Sequence, residues 1–216
     1  MDSIIIELGD AVMWKSSKSK IAFWRLMLST VWIAGAIIGG STMLLAADTE
    51  TPKNPNDPGA KLKLLEPDSD VWIDMKNKQV VLTGSVCLTH GPLEMFAVPK
   101  GTKEHEAVVA VKTKAAVVHA GLLAVGAENG KTVRYQPKYE PATGDKVEVL
   151  VFWTDEKGEH KKARAQDWIR DVKTKKAMTY PWVFAGSQFY VDEETKKTYY
   201  MAEAGDFICV SNFPDA

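Results

Sequence analysis

The chain has 216 residues, of which 45% are hydrophobic and 25% are charged, a composition that excludes a wholly disordered protein. Its 27 Lys and Arg residues nearly balance its 28 Asp and Glu residues, so a general electrostatic attraction to nucleic acid is not expected. The 2 cysteines are too few for a disulfide-dense scaffold or a four-thiolate metal site. One globular domain with an appended segment, and no nucleic-acid partner, is therefore predicted.

The clearest signal along the chain is an uncharged stretch at positions 26–47, which follows a cluster of cationic side chains. At about 1.5 Å of rise per residue, this stretch is long enough for a helix to cross a hydrocarbon core of roughly 30 Å. Gly39 and Gly40 interrupt its apolar run and two alanines end it, which is typical of a signal peptide. Residues 1–47 are therefore predicted to be either a cleaved signal peptide or a retained N-terminal transmembrane anchor.

Both alternatives place the rest of the chain outside the cytoplasm. Cleavage would release it into the periplasm or another extracytoplasmic space with no membrane contact, whereas retention would anchor it in the inner membrane. Residues 48–60 contain three prolines and few apolar side chains, so they are predicted to be an extended linker. The globular domain is predicted at residues 61–216.

The first elements of this domain are β-strands. Two β-rich runs at 71–75 and 79–83 flank a polar turn and predict a hairpin. The loops around Gly91 and Gly101 follow, and the apolar run at 107–111 then predicts a buried strand.

The pattern then changes to that of a helix at 114–125. Thr113 is positioned to cap its N terminus, and Gly126 is positioned to end it. This segment is predicted to be the main helix of the domain.

The second half of the domain again predicts strands. An alternating apolar run at 147–153 and a polar run at 159–165 flank a turn, which favours a hairpin with Val147, Val149, Val151 and Trp153 facing the core. A helical turn at 166–170 and four further strands follow, at 182–185, 189–191, 198–201 and 207–210. The predicted fold class is α+β, a mostly antiparallel β-sheet with one main packed helix.

Two groups of polar side chains are candidates for acid–base chemistry. Glu104, His105 and Glu106 place an imidazole between carboxylates, which can raise a histidine pKa; a solvated loop is the alternative. His119 lies inside the predicted helix, where a core histidine is the usual outcome, yet Gly121 beside it indicates close packing against that turn. A site formed by these groups would have His119 facing His105 or Glu106.

The cysteines suggest metal or thiol chemistry. Cys87, His90 and Glu94 have a spacing that suits zinc or a cysteine nucleophile, although a buried, inert thiol is the alternative. The candidate ligands for an unidentified divalent metal are thus Cys87, His90, His105 and His119. Cys87 and Cys209 could act as a redox pair only if the fold brings their Cα atoms within roughly 7 Å.

The sequence contains no phosphate-binding loop, dinucleotide-binding fingerprint, nucleophile elbow or zinc-peptidase motif. The common hydrolase and nucleotide-binding classes therefore have no motif here, and no cofactor site is predicted from one. A set of aromatic side chains suits either a binding platform or the core, and the core is the more common place for them. These residues are Trp72, Trp153, Trp168, Trp182, Phe184, Phe189, Tyr190, Tyr199 and Tyr200.

Five short motifs carry a resemblance to a known family. They are GPLEMFA at 91–97, GTKEHE at 101–106, VHAGLLA at 118–124, WVFAGS at 182–187 and CVSNFP at 209–214. In this order they resemble the bacterial YdjY-like domain family over about residues 70–216. The resemblance implies a secreted or envelope location rather than an activity, and it supplies no catalytic residue set. It raises the expectation of a shared role for the polar residues at 103–106 and 118–122.

Two departures from the family pattern qualify this resemblance. Relatives often have a cysteine where this chain has Val98, which puts a thiol-based site at that position in doubt. Relatives also continue with further strands, whereas this chain stops at Ala216, as expected of a fragment or of a family member truncated at its C terminus. The last strand would then lack a neighbour in the sheet.

Three functions follow from these observations. The first is an exported or membrane-tethered domain that binds an unidentified ligand or envelope protein without catalysis. The second is a small metal-dependent or acid–base enzyme that uses Glu104, His105, Glu106 and His119. The third is a thiol-redox accessory domain that uses Cys87 and Cys209.

Overall fold

A computed structural model describes residues 4–9, 53–54, 57 and 59–214 of the chain. All of these residues belong to one of the two compact units into which the chain divides. The apolar stretch at 26–47 lies outside the described residues, as does most of the predicted linker, but residues 4–9 of the predicted signal or anchor segment 1–47 form a β-strand. Within the described part, no helix combines the length and the apolar character needed to cross a membrane.

Ten strands within the described residues form one sheet, and most of its pairings are antiparallel. The strands are β1 (Ile4–Gly9), β2 (Lys63–Leu64), β3 (Val71–Asp74), β4 (Gln79–Val86), β5 (Met95–Pro99), β6 (Ala107–Val111), β7 (Lys146–Thr154), β8 (His160–Arg164), β9 (Trp182–Val183) and β12 (Ile208–Cys209). The order across the main path is β12-β5-β6-β4-β1-β7-β8, and β1 runs parallel to both of its neighbours. β12 pairs with β5, so the predicted last strand has a neighbour on one side.

A separate two-stranded ribbon and a single α-helix complete the fold of the described residues. The ribbon pairs β10 (Phe189–Val191) with β11 (Thr198–Tyr200), and the helix α1 is Ala115–Ala124. Short 3₁₀ turns cover Glu104–Glu106, Ala165–Trp168 and Met201–Ala204. The prediction of a sheet-dominated α+β fold with one main helix is therefore confirmed.

The two predicted hairpins are confirmed, because β3 pairs antiparallel with β4 and β7 pairs antiparallel with β8. The prediction that only one face of β7 is buried was incomplete. Val147, Val149 and Val151 are buried as expected, but Leu150 and Phe152 are buried as well. Both faces of this strand are therefore covered, and Trp153 near its end is only partly buried.

The strand β5 was not predicted, since the sequence between the two glycine-rich loops was interpreted without one. All five of its residues are buried, and it lies parallel to β6 in the sheet. Pro99 is its last residue, opposite Val111 of β6, and the next residue, Lys100, donates its N–H to the carbonyl of Val111.

The helix α1 forms where it was predicted, but its N terminus is capped by a different residue. Thr113 does not cap it, and the N-cap position, Lys114, provides no side-chain hydrogen bond. Instead the carboxylate of Glu203 accepts hydrogen bonds from the backbone N–H groups of Ala115 (3.1 Å) and Ala116 (3.0 Å). Gly126 ends the helix as predicted, with its N–H donating to the carbonyl of Leu123.

The close packing inferred at Gly121 is present. A Cβ atom at this position would lie 3.3 Å from Cγ1 of Val80 and 3.2 Å from Cδ2 of Leu65. Gly121 thus lets the middle of α1 approach β4 closely, and this face of the helix joins the main hydrophobic core.

Part of the predicted linker is attached to the domain. The side chain of Asn54 is buried and donates a hydrogen bond of 2.8 Å to the Asp74 carboxylate at the end of β3. Burial alone would raise the pKa of Asp74, but hydrogen bonds from Asn77 and Asn54 bring it below its ordinary value. The described end of this segment therefore packs on the β3–β4 hairpin rather than extending into solvent.

The Glu203→Ala substitution is expected to destabilise the fold by about 1–2 kcal/mol, because two N–H groups at the start of α1 lose their acceptor. Urea denaturation measures the free energy of unfolding directly. Glu193→Ala, at an exposed position in the turn of the β10–β11 ribbon, is the matched control and should change stability by less than about 0.5 kcal/mol. Equal effects of the two substitutions would contradict the capping role of Glu203.

Candidate functional site

An apolar cavity of about 490 Å³ lies between α1, β7 and two segments near the C-terminal end, 178–187 and 207–213. Helix α1 contributes Ala115, Val118, His119 and Leu122 to its wall, and β7 contributes Val147 and Val149. Among the described residues that line it there is no Asp, Glu, Lys or Arg. This cavity, called the inner cavity below, has the size and apolar character of small-molecule sites.

Backbone contacts hold the outer wall of the inner cavity in place. The N–H of Phe184 donates to the carbonyl of Asp145, and the carbonyl of Phe184 accepts from the N–H of Gly130. Gly144 has a φ of +131°, and a Cβ atom there would overlap the carbonyl oxygen of Phe184. The wall is therefore backbone packed against backbone, a close approach that only glycine permits.

The floor of the inner cavity is tied to the main sheet. Trp182 begins β9, pairs with Val147 of β7 and contacts the ring of Phe96 at a centroid distance of 5.9 Å. Its indole N–H donates a hydrogen bond of 2.7 Å to the carbonyl of Cys209 in β12. One tryptophan thus joins the two elements that close this side of the cavity.

Three polar residues in the wall of this mostly apolar space are linked by hydrogen bonds: His119, Tyr200 and Ser187. Nδ1 of His119 and Oη of Tyr200 are joined by a hydrogen bond of 2.8 Å. The backbone N–H of Ser187 also donates to Oη of Tyr200, at 3.0 Å. Ser187 in turn accepts a hydrogen bond from the N–H of Ala202 on its side-chain oxygen. We call His119, Tyr200 and Ser187 the polar cluster.

Aromatic and backbone contacts fix the orientation of the His119 ring. Phe184 meets it edge to face at a centroid distance of 4.8 Å, and Tyr200 meets it at 5.5 Å. Gly186, with a φ of +72°, leaves room for the ring, since a Cβ atom there would lie 3.2 Å from Cε1 of His119. The histidine is therefore held on several sides.

Burial favours the neutral forms of both titratable members of the polar cluster. It lowers the pKa of His119, and it raises the pKa of Tyr200, which the negative charge of Glu203 raises further. At neutral pH the cluster is therefore uncharged, consistent with the lack of charged side chains in the described lining.

A second, larger concavity of about 810 Å³ adjoins the inner cavity. The two share the lining residues Thr132, Val133, Pro141, Ala185, Gly186 and Ser187. Its own lining is more polar and includes Lys131 and an exposed ion pair between Arg134 and Glu140 with an N···O distance of 2.6 Å. This second space, called the outer cavity below, therefore places polar groups beside the wall that the two cavities share.

The acidic and histidine residues predicted as a site do not meet His119. His105 is 77% exposed and its nearest carboxylate, that of Glu106, is 3.8 Å away. Glu104 accepts a hydrogen bond from the N–H of Gly101. None of these three residues lines the inner cavity, where the contacts of His119 are Tyr200, Phe184 and Gly186. The structure thus places the two groups apart.

The loop that carries these residues is held to the C-terminal segment by Lys103. Its ammonium group pairs with the buried carboxylate of Asp206 at 2.7 Å and lies 5.3 Å from the ring centre of Phe213. The Asp206 hydrogen bond raises the pKa of Lys103. In the described structure this lysine fastens the loop and serves no cavity.

The two cysteines are free and lie far apart. The backbone N–H of Cys87 donates to the carbonyl of Val108 in β6. Cys209 lies in β12, and β5 separates β12 from β6 in the sheet. Three strand spacings of about 4.8 Å separate the two cysteines by about 14 Å, well beyond the reach of a disulfide. Burial raises the pKa of Cys209 to about 12, so this thiol is not a nucleophile at neutral pH.

The expectation of a buried Cys87 was wrong, because the residue is exposed at the end of β4. Partial burial of its thiol and the charge of Glu104 raise its pKa, and its sulfur contacts the carbonyl of Ala107 at 3.1 Å. His90 is exposed and its ring contacts the hydroxyl of Thr89. Across the part of the chain that the structure describes, no three His, Cys, Asp or Glu side chains are grouped to hold a metal ion.

The sequence identified one member of the polar cluster by its chemistry and missed two. His119 was a candidate from the start. Tyr200 was counted only among aromatic residues expected in the core, where Trp182, Phe184 and Tyr200 are indeed buried, whereas Phe189, Tyr190 and Tyr199 are exposed. Ser187 was present in the WVFAGS motif, the only sequence signal that pointed to it.

The strands, the helix and the cavity define a sheet-dominated α+β domain with an apolar pocket and one neutral polar cluster. The chain belongs to the YdjY domain family, whose profile matches residues 71–216 and so covers α1 and both cavities. No curated protein and no solved structure matches the chain.

Because burial lowers the pKa of His119 below the ordinary value of 6.5, the unfolded chain binds more protons than the folded domain just below that pH. The contribution of His119 to stability should be complete above about pH 7 and fall as the pH drops below 6.5. The slope cannot exceed about 1.4 kcal/mol per pH unit, the value for one proton. Urea denaturation at pH 7.5 and 5.5 measures this difference.

Two variants isolate the His119 contribution. Between pH 7.5 and 5.5, the free energy of unfolding should fall less in the His119→Gln variant than in the unmodified chain. In the His90→Gln variant, which changes an exposed histidine, it should fall as much as in the unmodified chain. If the His119→Gln variant lost as much stability between the two pH values as the unmodified chain, the assignment of a buried neutral histidine would be refuted.

Proposed function

We propose that this chain is an extracytoplasmic binding domain that holds a small, largely apolar molecule in the inner cavity. The single observation that carries this proposal is a mostly apolar space of about 490 Å³, in which no described lining residue is charged, combined with the polar cluster in its wall. Apolar walls supply affinity, and a few fixed polar groups supply orientation, which is the usual division of labour in ligand pockets.

The dimensions of the cavity set the size of the ligand. Taking roughly 30 Å³ for each non-hydrogen atom, the volume of one water molecule in the liquid, the inner cavity holds on the order of 15 such atoms. That number corresponds to a two-ring aromatic compound or a medium-length alkyl chain. The outer cavity, which shares a wall with the inner one, offers such a molecule a polar entrance.

A binding role also fits the chemistry of the groups that line the cavity. Cys209, the thiol in this wall, is kept protonated by burial, and burial likewise favours the neutral forms of His119 and Tyr200. None of these groups is activated as a nucleophile or poised as a strong base. The proposed function is therefore recognition of a ligand rather than its chemical conversion.

The extracytoplasmic part of the proposal rests on the sequence. An exported domain would form its sheet without β1, because residues 4–9 precede the stretch at 26–47 and would be cleaved off with a signal peptide or held on the cytoplasmic side of an anchor. The strands β4 and β7 would then lack the partner that they share. The uncharged stretch at 26–47, with its preceding cations, has the composition of a signal peptide or anchor. The family to which the chain belongs is also one in which secreted or envelope proteins are expected. A domain held at the envelope could collect small apolar molecules that reach the extracytoplasmic space.

The fluorescent apolar compound N-phenyl-1-naphthylamine is expected to bind the full chain with a Kd on the order of 10 µM. The Ala142→Phe substitution adds a ring to the wall of the inner cavity and should weaken this binding by at least about tenfold. Fluorescence titration measures both affinities.

The matched control is Ala163→Phe, which adds the same ring to a similarly half-exposed alanine in β8, outside both cavities. It should leave the affinity unchanged. Since both variants keep the apolar N-terminal stretch, probe bound there would respond equally in the two. Equal binding by the Ala142→Phe and Ala163→Phe variants would therefore exclude the inner cavity as the binding site.

A fusion of alkaline phosphatase to the C terminus of the full chain tests the location in a bacterial host. This reporter needs disulfides that form outside the cytoplasm, so an exported domain should give an active enzyme. Deleting residues 26–47 should abolish the activity while the fusion protein is still made. An inactive reporter on the full chain would contradict export, and the size of an active fusion would distinguish cleavage from retention.

A further inference from the structure

We infer that the molecule bound in the inner cavity carries a neutral hydrogen-bond acceptor, a carbonyl group on an apolar body, and that the polar cluster recognises this acceptor. The inference rests on the proposed function, since it names the class of ligand for the same cavity. Its basis is a count of the hydrogen atoms available in the polar cluster.

The side chains of His119 and Tyr200 together carry two polar hydrogen atoms and share one hydrogen bond. A neutral imidazole carries one N–H, and the phenol carries one O–H. The single hydrogen bond between Nδ1 and Oη uses one of these two hydrogens, and the N–H of Ser187 already occupies an acceptor position on Oη. One donor of the pair therefore remains after their mutual bond is made.

The identity of the remaining donor depends on the tautomer, but its existence does not. If Tyr200 donates to Nδ1, the histidine carries its hydrogen on Nε2. If Nδ1 of His119 donates to Tyr200, the phenol O–H is the remaining donor. Both residues line the inner cavity, and the side chain of Tyr200 is among the buried ones. An apolar molecule that fills the cavity cuts this donor off from water, which is costly, so a bound molecule gains by supplying an acceptor.

The surroundings select a neutral acceptor over a charged one. The described lining contains no cation to pair with an anionic ligand, and the negative charge of Glu203 acts on Tyr200. A carboxylate at this point would be desolvated and repelled. A cationic ligand would equally lack a carboxylate partner in the lining. The carbonyl of a ketone, ester or amide satisfies the donor without either cost.

Two compounds of equal size test the inference. One is 2-acetylnaphthalene, which has a carbonyl group, and the other is 2-isopropenylnaphthalene, which has a CH2 group in place of the carbonyl oxygen. Each has about the number of non-hydrogen atoms that the cavity holds. Their dissociation constants for the full chain are obtained by displacement of N-phenyl-1-naphthylamine, and the measured quantity is the ratio of the two affinities.

The double variant His119→Leu, Tyr200→Phe removes both donors and is expected to lower the ketone-to-hydrocarbon affinity ratio by about five- to tenfold. Each single variant leaves one of the two hydrogens, so its ratio should fall less. A control double variant, Ala163→Phe with His90→Gln, changes two residues outside the cavity and should leave the ketone-to-hydrocarbon affinity ratio unchanged.

The infrared C=O stretching frequency of carbonyl-labelled 2-acetylnaphthalene gives a second readout that needs no variant. A hydrogen-bonded carbonyl absorbs at a lower frequency than the same compound in a hydrocarbon solvent, and this shift is expected when the ketone is bound to the unmodified chain. It keeps the inference testable even where the double variant fails to fold.

The possible failures are distinguishable. If the hydrocarbon binds but the bound ketone shows no frequency shift, or if the ratio is unchanged in a folded double variant, the inference is overturned while the proposed binding function stands. If neither compound binds the full chain, the proposed function is overturned together with this inference.

Discussion

The contact between the carboxylate of Glu203 and the first turn of α1 is the constraint on which the site depends. A helix begins with N–H groups that have no partner within the helix, and the residues just before α1 supply none. The partner comes from a 3₁₀ turn 88 residues later in the chain. The N–H groups at the start of α1 thus obtain an acceptor only if the C-terminal segment folds back over the helix. This segment then packs Tyr200 and Ala202 against Ala115.

The inner cavity forms because the C-terminal segment folds back over α1. The middle of α1 lies tightly on β4 because Gly121 has no side chain, whereas the flank that carries Val118, His119 and Leu122 faces the returning segment across a gap. The wall at 182–187 is held by backbone contacts with Asp145 and Gly130 and by the indole of Trp182. Rigid backbone on one side and a fixed helix on the other prevent the space from collapsing, in contrast with most gaps in a protein interior.

Local sequence signals predicted the elements that depend on neighbouring residues. Alternating Val147, Val149 and Val151 indicated a strand, and Gly126 indicated where the helix ends, because these signals act within a few residues. The strand β5 was missed because a short buried run between proline-containing loops has no periodicity to distinguish it. The cap from Glu203 and the meeting of Ser187 and Tyr200 with His119 are tertiary contacts, and no local pattern encodes them. The expected contact between His119 and His105 or Glu106 is absent from the described structure for the same reason, because charged residues close in sequence do not imply a partner across the fold.

Three titratable groups of the inner cavity share one physical property, since burial favours the neutral form of each. This holds for the imidazole of His119, the phenol of Tyr200 and the thiol of Cys209, although their ordinary pKa values differ widely. The charged residues of the region interact elsewhere. Glu203 accepts hydrogen bonds at the N terminus of α1, Asp206 pairs with Lys103, and Arg134 pairs with Glu140 in the outer cavity. A site that discriminates among neutral molecules needs fixed dipoles without net charge. The polar cluster meets this requirement, because the hydrogen bond between His119 and Tyr200 and the bond from the Ser187 N–H to Tyr200 orient dipoles in a wall whose described residues carry no charge.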